Sequence, residues 1–224
     1  MSSIIYNGHE IQDLIINGNQ AQLWLNGQKL YPSAEPGPVD PYNPLGLPPF
    51  TIRCKFRSGY TPTMGDSQTL VDAVENVWDI TKNSTDWGSL IYGSGIGALR
   101  LLSVLGANTS GVTNMNSMFH SCSKLTHVEV FDTSSVTDMN NMLVRCTSLT
   151  TVPLFNTSSC TSMYNTFSDC YNVQSGALAL YQQASSQDTV PQHNNRTFSN
   201  CGRDTVTGAA ELAQIPTDWG GLNA

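Results

Sequence analysis

The sequence predicts an α/β repeat fold, and three observations carry that expectation. First, Thr109-Ser110-Gly111-Val112-Thr113-Asn114-Met115 returns as Thr133-Ser134-Ser135-Val136-Thr137-Asp138-Met139 and again as Thr157-Ser158-Ser159-Cys160-Thr161-Ser162-Met163, each time 24 residues on. Cys122, Cys146 and Cys170 keep the same step. Second, each copy joins a run with helical spacing to a short extended run. Third, three Asn-Gly pairs punctuate the first thirty residues. A fixed period of this length marks a stacked array, in which each unit buries its apolar face only against its neighbours. Such arrays present surfaces and seldom house catalysis.

Residues 1–31 come first. Asn7-Gly8, Asn17-Gly18 and Asn26-Gly27 separate the apolar runs Ile4-Ile5-Tyr6, Leu14-Ile15-Ile16 and Leu23-Trp24-Leu25. Asn-Gly supplies the two positive φ angles of a type I′ hairpin turn, so a small antiparallel β-meander is expected. About thirty residues bury little core of their own. Ile4, Ile15, Leu23, Trp24 and Leu25 are therefore expected to form an assembly interface, with docking on the array's open end as the competing reading.

Residues 32–49 hold seven of the eleven prolines. Proline fixes φ and donates no hydrogen bond, which makes this stretch an extended linker. Residues 50–108 read as a strand-containing lead-in and N-terminal cap. Ile52, Cys54 and Phe56 share one face of a strand, Val77-Trp78-Asp79-Ile80 reads as another, and Trp87 to Leu105 reads as an irregular first turn.

Residues 109–224 are the repeats with a helical C-terminal cap. In the second copy Val136, Met139, Met142, Leu143 and Cys146 follow steps of three and four, which predicts a short helix capped by Thr133 or Ser134. Leu149-x-x-Val152-x-Leu154 and Leu125-x-x-Val128-x-Val130 then match the strand pattern of leucine-rich repeats. Together these predict a short leucine-rich-repeat solenoid of 24-residue units. A fourth copy, at Phe198 to Cys201, arrives 31 residues after the third cysteine, and helices are expected near Gly176–Tyr181 and Gly208–Ala213.

At Val112-Thr113-Asn114-Met115-Asn116-Ser117-Met118-Phe119, with Cys122 and Leu125 following, the chain resembles the BspA-type leucine-rich repeat family over about half its length. The resemblance implies a repeat protein of bacterial surfaces, implicated in adhesion, or of bacteriophages. The N-terminal Asn-Gly meander and its linker also look like attachment modules of phage virion proteins.

Charge and composition narrow the function. Only 12% of the residues are charged and the net charge is −7. That excludes a basic stripe for nucleic acid. No run approaches the roughly 20 apolar residues of a membrane helix, so membrane insertion is not expected. No signal peptide is recognisable at the N-terminus, which favours a virion component over a secreted adhesin. The acidic residues Glu129, Asp132, Asp138 and Asp169 form no recurring pair suited to glycoside hydrolysis, and Asp132 reads as a corner residue matched by Asn156. His9, His120, His127 and His193 lack metal-ligand spacing. No enzyme, no metal and no cofactor are expected. The ladder cysteines read as small buried residues, reduced rather than bridged.

Recognition is the expected function. Between the apolar positions of the strand pattern, Lys124, Thr126, His127 and Glu129 of one unit and Thr150, Thr151 and Pro153 of the next are expected to face outward as one ligand-binding surface. Phe131 and Phe155 invite a stacking role but read as core. The expected protein is a non-enzymatic bacteriophage virion component, of tail, fibre or capsid decoration. Its array would contact a host-surface protein or glycan. Residues 1–31 would bind other virion proteins or the chain's own copies in a homo-oligomer. The alternative is a bacterial surface adhesin or interaction module.

Overall fold

The computed structural model describes residues 40–92, 97–188 and 190–222 fully, and backbone strands within residues 5–31. The chain divides into two compact units at Asp40/Pro41. In the first, β1 (Ile5–Tyr6) pairs antiparallel with β2 (His9–Glu10). β3 (Asp13–Asn17), β4 (Gln20–Leu25) and β5 (Gln28–Tyr31) form a three-stranded antiparallel sheet in that order. Its register sets Ile15 opposite Gln22 and Leu14 opposite Leu23, with a bulge between Leu23 and Trp24.

The largest regular element of the second unit is a mixed five-stranded sheet. It is built from β6 (Thr51–Phe56), β7 (Ser67–Asp72), β8 (Val77–Thr81), β9 (Leu101–Asn108) and β10 (His127–Val128), in the order β10-β9-β6-β8-β7. β6 alternates as its sequence requires: Ile52, Cys54 and Phe56 are buried on one face. On the other face Arg53 lies opposite Asp79 of β8, and its Nε and Nη2 donate to the two carboxylate oxygens at 2.7 and 2.8 Å. β7 and β9 lie where no strand is legible in the sequence. β9 is the pivot, pairing antiparallel with β6 on one side and parallel with β10 on the other.

This architecture overturns the expected α/β leucine-rich-repeat solenoid. The described residues contain two short α-helices, α1 (Ala177–Ser185) and α2 (Val206–Leu212), both beyond the regular repeats. The stretches 115–122, 139–146 and 163–170 are successive turns instead of helices. The cause is visible in the backbone. Ser117, Ser121, Asn141, Arg145, Asn165 and Asp169 all take positive φ between 54° and 62°. A left-handed residue at every fourth position stops helix propagation.

The freed N–H groups find partners in the following segment. Met115, Ser117, Phe119 and Ser121 donate to the carbonyls of Asp138, Asn140, Met142 and Val144. Met139, Asn141, Leu143 and Arg145 then donate to those of Ser162, Tyr164, Thr166 and Ser168. Along this row every donor points toward the C-terminal neighbour. On a second row the direction reverses: Thr137 N donates to Thr113 O and Thr161 N to Thr137 O. The expected strands are also reduced. One is the two-residue β10, and the next is the single bridge Thr151–Ser175. Pro153 removes a donor just where the second strand would extend.

The core runs without a break from β6 through the turn segments. Met115, Met118, Phe119, Cys122, Leu125 and Phe131 are 0% exposed, and so are Met139, Met142, Leu143, Cys146, Leu149 and Phe155. α1 and α2 close the C-terminal end with the 3₁₀ turn Thr217–Trp219. Thr205 caps α2, its hydroxyl accepting from Gly208 N. Trp219 lies against Phe198 and Tyr181 at ring distances of 6.4 and 5.4 Å.

Candidate ligand-binding surface

The repeat places its polar side chains in columns, and each column has its own chemistry. Cys122, Cys146 and Cys170 line the interior. Each thiol donates to a carbonyl of the preceding segment: Ile91 at 3.4 Å, Phe119 at 3.2 Å and Leu143 at 3.1 Å. All six cysteines are free and buried. Burial raises the thiols of Cys146, Cys170 and Cys201 well above their ordinary value, and pushes Cys160 up to about 11. Buried thiols held neutral in this way are poor nucleophiles and poor ligands.

Each corner is an Asx turn. Asn108, Asp132 and Asn156 accept from the N–H of Ser110, Ser134 and Ser158. The following threonine at each corner is buried. The Thr133 hydroxyl donates to Asn156 O at 2.8 Å, and that of Thr109 donates to Asp132 O. The expected helix cap at Thr133 is thus a joint between segments. A second threonine column, Thr113, Thr137 and Thr161, stays exposed, and its hydroxyls donate to Thr85 O, Thr113 O and Thr137 O.

Of the expected binding residues, Lys124, Thr126, His127, Glu129, Thr150 and Thr151 are exposed. His127 Nε2 and Glu129 Oε1 lie 3.0 Å apart. The Thr126 and Thr150 hydroxyls donate to Leu102 O and Thr126 O at 3.0 and 3.2 Å, which stacks the two residues on adjacent segments. Pro153 does not join them: it is buried. Phe131 and Phe155 are fully buried with ring centroids 5.0 Å apart, so they are core. Val130 and Leu154 are exposed in their place. Of the expected assembly residues, Ile4 lies outside the described residues, while Ile15, Leu23, Trp24 and Leu25 are positions on β3 and β4.

Sequence reasoning missed the turn face. Tyr92 stacks on His120 at 4.8 Å with 30° between the rings. Burial and the nearby Arg145 lower the His120 pKa below its ordinary value. Arg145 lies 3.7 Å from Asp169, whose other oxygen accepts from Asn200 Nδ2 at 2.8 Å. Arg203 sits over the Tyr171 ring at 4.3 Å. The only signal for this face was tyrosine at 60, 92, 164 and 171, of which 92 and 164 alone stand a whole number of periods apart.

At the start of that face lies a cleft of about 580 Å³. It is lined by residues on the loop after β6, including Tyr60, Thr61, Thr63 and Met64, and by Ser89, Leu90, Ile91, Tyr92, Gly97 and Ala98. Two smaller hollows, of about 450 and 300 Å³, lie beside Cys160 and Asn156 respectively. Among the described residues no three His, Cys, Asp or Glu side chains converge on a metal position. Among them also, no helix is long and apolar enough to cross a membrane.

Columns of uncharged polar side chains in register, on a continuous core, define a repeat-built protein. Residues 100–199 match a family model described as "Mycoplasma protein of unknown function, DUF285". No curated protein and no solved structure matches the chain. The matched stretch begins just before β9 and covers every regular turn segment.

Proposed function

We propose that this chain is a non-enzymatic recognition protein, a bacteriophage virion component whose repeat segments contact a host-surface ligand. The observation that supports it best is the column architecture: hydrogen bonds at a constant 24-residue offset hold exposed threonines and their neighbours in fixed register. A rigid, weakly charged surface of hydroxyls and amides loses little entropy on binding an extended partner. The first compact unit, residues 1–40, is the attachment module in this reading. The short sheet β3-β4-β5 has two outer strands, and outer strands pair readily with other chains. Proteomics of virions purified from the encoding host tests the reading. Peptides from this chain in intact particles support it; their absence from particles produced in a lysate that contains the protein overturns it.

A second reading is a BspA-type bacterial surface adhesin. The match of residues 100–199 to a family described from Mycoplasma favours it. Surface labelling of intact bacterial cells that express the chain separates the two: labelled cells with unlabelled virions select the adhesin. In either setting, removing residues 1–31 is expected to abolish assembly or anchoring and leave the second unit folded.

A further inference from the structure

We propose that the cleft between the loop after β6 and the first turn segment is a binding site for a neutral saccharide. The inference rests on the recognition reading above and assigns its ligand class and location. Four observations carry it. Among the described residues none of the ten that line the cleft is charged, and Arg100 acts on Tyr60 only from outside the lining. Two aromatic rings, Tyr60 and Tyr92, line it together with the Met64 thioether. Three exposed residues that carry hydroxyls, Thr61, Thr63 and Ser89, line the same cleft. Finally, Met64 and Tyr60 pack directly on Gly97: a Cβ there would sit 2.5 Å from Met64 Cε and 2.9 Å from Tyr60 Oη, so a side chain at 97 would displace both cleft residues.

A sugar ring matches this combination on both counts. Its C–H face packs on an aromatic ring, and its hydroxyl rim needs hydrogen-bonding partners around that ring. A purely apolar ligand would strand the threonine and serine hydroxyls without partners, which costs about 1–3 kcal/mol for each buried group. Both rings are held before any ligand arrives. Tyr92 is backed by His120 at 4.8 Å, and Tyr60 by Phe56 at 5.3 Å. Held rings lose little rotamer freedom on binding, the condition under which aromatic contacts contribute most. Tyr92 remains 42% exposed, so the ring is accessible.

The test uses the full chain against an immobilised panel of neutral di- to hexasaccharides of gluco-, galacto-, manno- and N-acetylhexosamine type. Acidic oligosaccharides and random peptides serve as controls. Saturable binding of at least one neutral sugar is expected, with the controls unbound. Tyr92→Ala should weaken that binding about tenfold or more, the equivalent of about 1.4 kcal/mol, and Gly97→Ala should do the same. Val206→Ala, at a 90% exposed position on α2 outside the cleft lining, should leave the affinity within about twofold, well under the tenfold step. If Tyr92→Ala proves poorly folded by circular dichroism, Thr63→Val at an exposed position carries the same expectation. Sugar binding that survives Tyr92→Ala, Gly97→Ala and Thr63→Val overturns the location and leaves the recognition reading intact. A panel with no neutral sugar bound, or only peptides or acidic sugars bound, overturns the saccharide assignment. The virion proteomics and cell labelling above decide the recognition reading independently.

Discussion

The five-stranded sheet and the turn segments share one core but solve the backbone problem in opposite ways. In the sheet, β6 meets β8 and β9 through extended residues, and charged pairs such as Arg53–Asp79 fix the outer face. In the turn segments, left-handed serine, asparagine and arginine residues redirect every second N–H to the next segment, and short Asn and Asp side chains fix the corners. The difference teaches that register can come from turn chemistry as well as from strand pairing.

Thiol chemistry offers the largest contrast between folded and unfolded chain. With Cys160 pushed up to about 11, its thiolate at pH 8 is roughly a hundredfold scarcer than that of an ordinary thiol. Iodoacetamide is expected to modify none of the six cysteines appreciably in the native protein and all six in denaturant, as mass spectrometry would count. Rapid native labelling of Cys146 or Cys170 but not Cys54 would show that the turn region opens independently of the sheet.

Core truncation comes next. Phe155→Ala and Phe56→Ala should each destabilise the second unit by about 3–5 kcal/mol in urea titration. A cost under about 1 kcal/mol at Phe155 alone would break the equivalence of the two regions, because it would mean the turn segments are packed less tightly than the sheet. At the C-terminal closure, Gly208→Ala puts a Cβ 2.3 Å from Val173 O and 2.6 Å from Gly202 O. Both are backbone atoms with little freedom to retreat, so a loss of about 1–3 kcal/mol is expected by the same titration.

Two threonine columns sharpen the argument further. Thr133→Val removes the buried Thr133 hydroxyl from its 2.8 Å bond to Asn156 O and should cost about 1–3 kcal/mol. Thr137→Val, at the exposed column, should stay within about 0.5 kcal/mol. Equal effects would mean that burial does not separate the two columns.

The smallest effect is electrostatic. Burial and Arg145 lower the folded His120 pKa, so the native state prefers the neutral ring. Its contribution is present above the ordinary histidine value near pH 6.5 and is lost as pH falls below that toward the lower folded value. His120→Gln is therefore expected to flatten the fall in melting temperature between about pH 6.5 and pH 5. An unchanged slope would remove His120 as its source.

Particular residues show what could be read in advance. The 24-residue period and the buried set Val136, Met139, Met142, Leu143 and Cys146 were legible, because burial follows apolar spacing. The helix inferred from that spacing was not there. Tandem turns that reset at Asn141 and Arg145 repeat every four residues, so they bury the same positions as a helix would. Asn141, Asn165 and Asp169 are types that tolerate positive φ, but Arg145 and Arg196 give no such signal. β9 escaped notice because Gly106 interrupts its pattern. At the surface, Thr126, His127 and Thr150 are exposed, whereas Pro153 is buried because the strand alternation fails where the strand does. The cleft was invisible, since Tyr60 and Tyr92 are brought together only by the fold.

The one-way hydrogen bonds of the turn row have a final consequence. Met115 donates to Asp138, and Met139 donates to Ser162 at the equivalent place. Each segment therefore offers its successor the same plug and its predecessor the same socket. A rung could be removed or added, residues 133–156 for instance, and the remaining donors and acceptors would still meet. Reach along the turn row is thereby uncoupled from the chemistry of either end: residues 87–91 supply the first plug, the turn at Thr217–Trp219 receives the last, and the distance between them is set by counting.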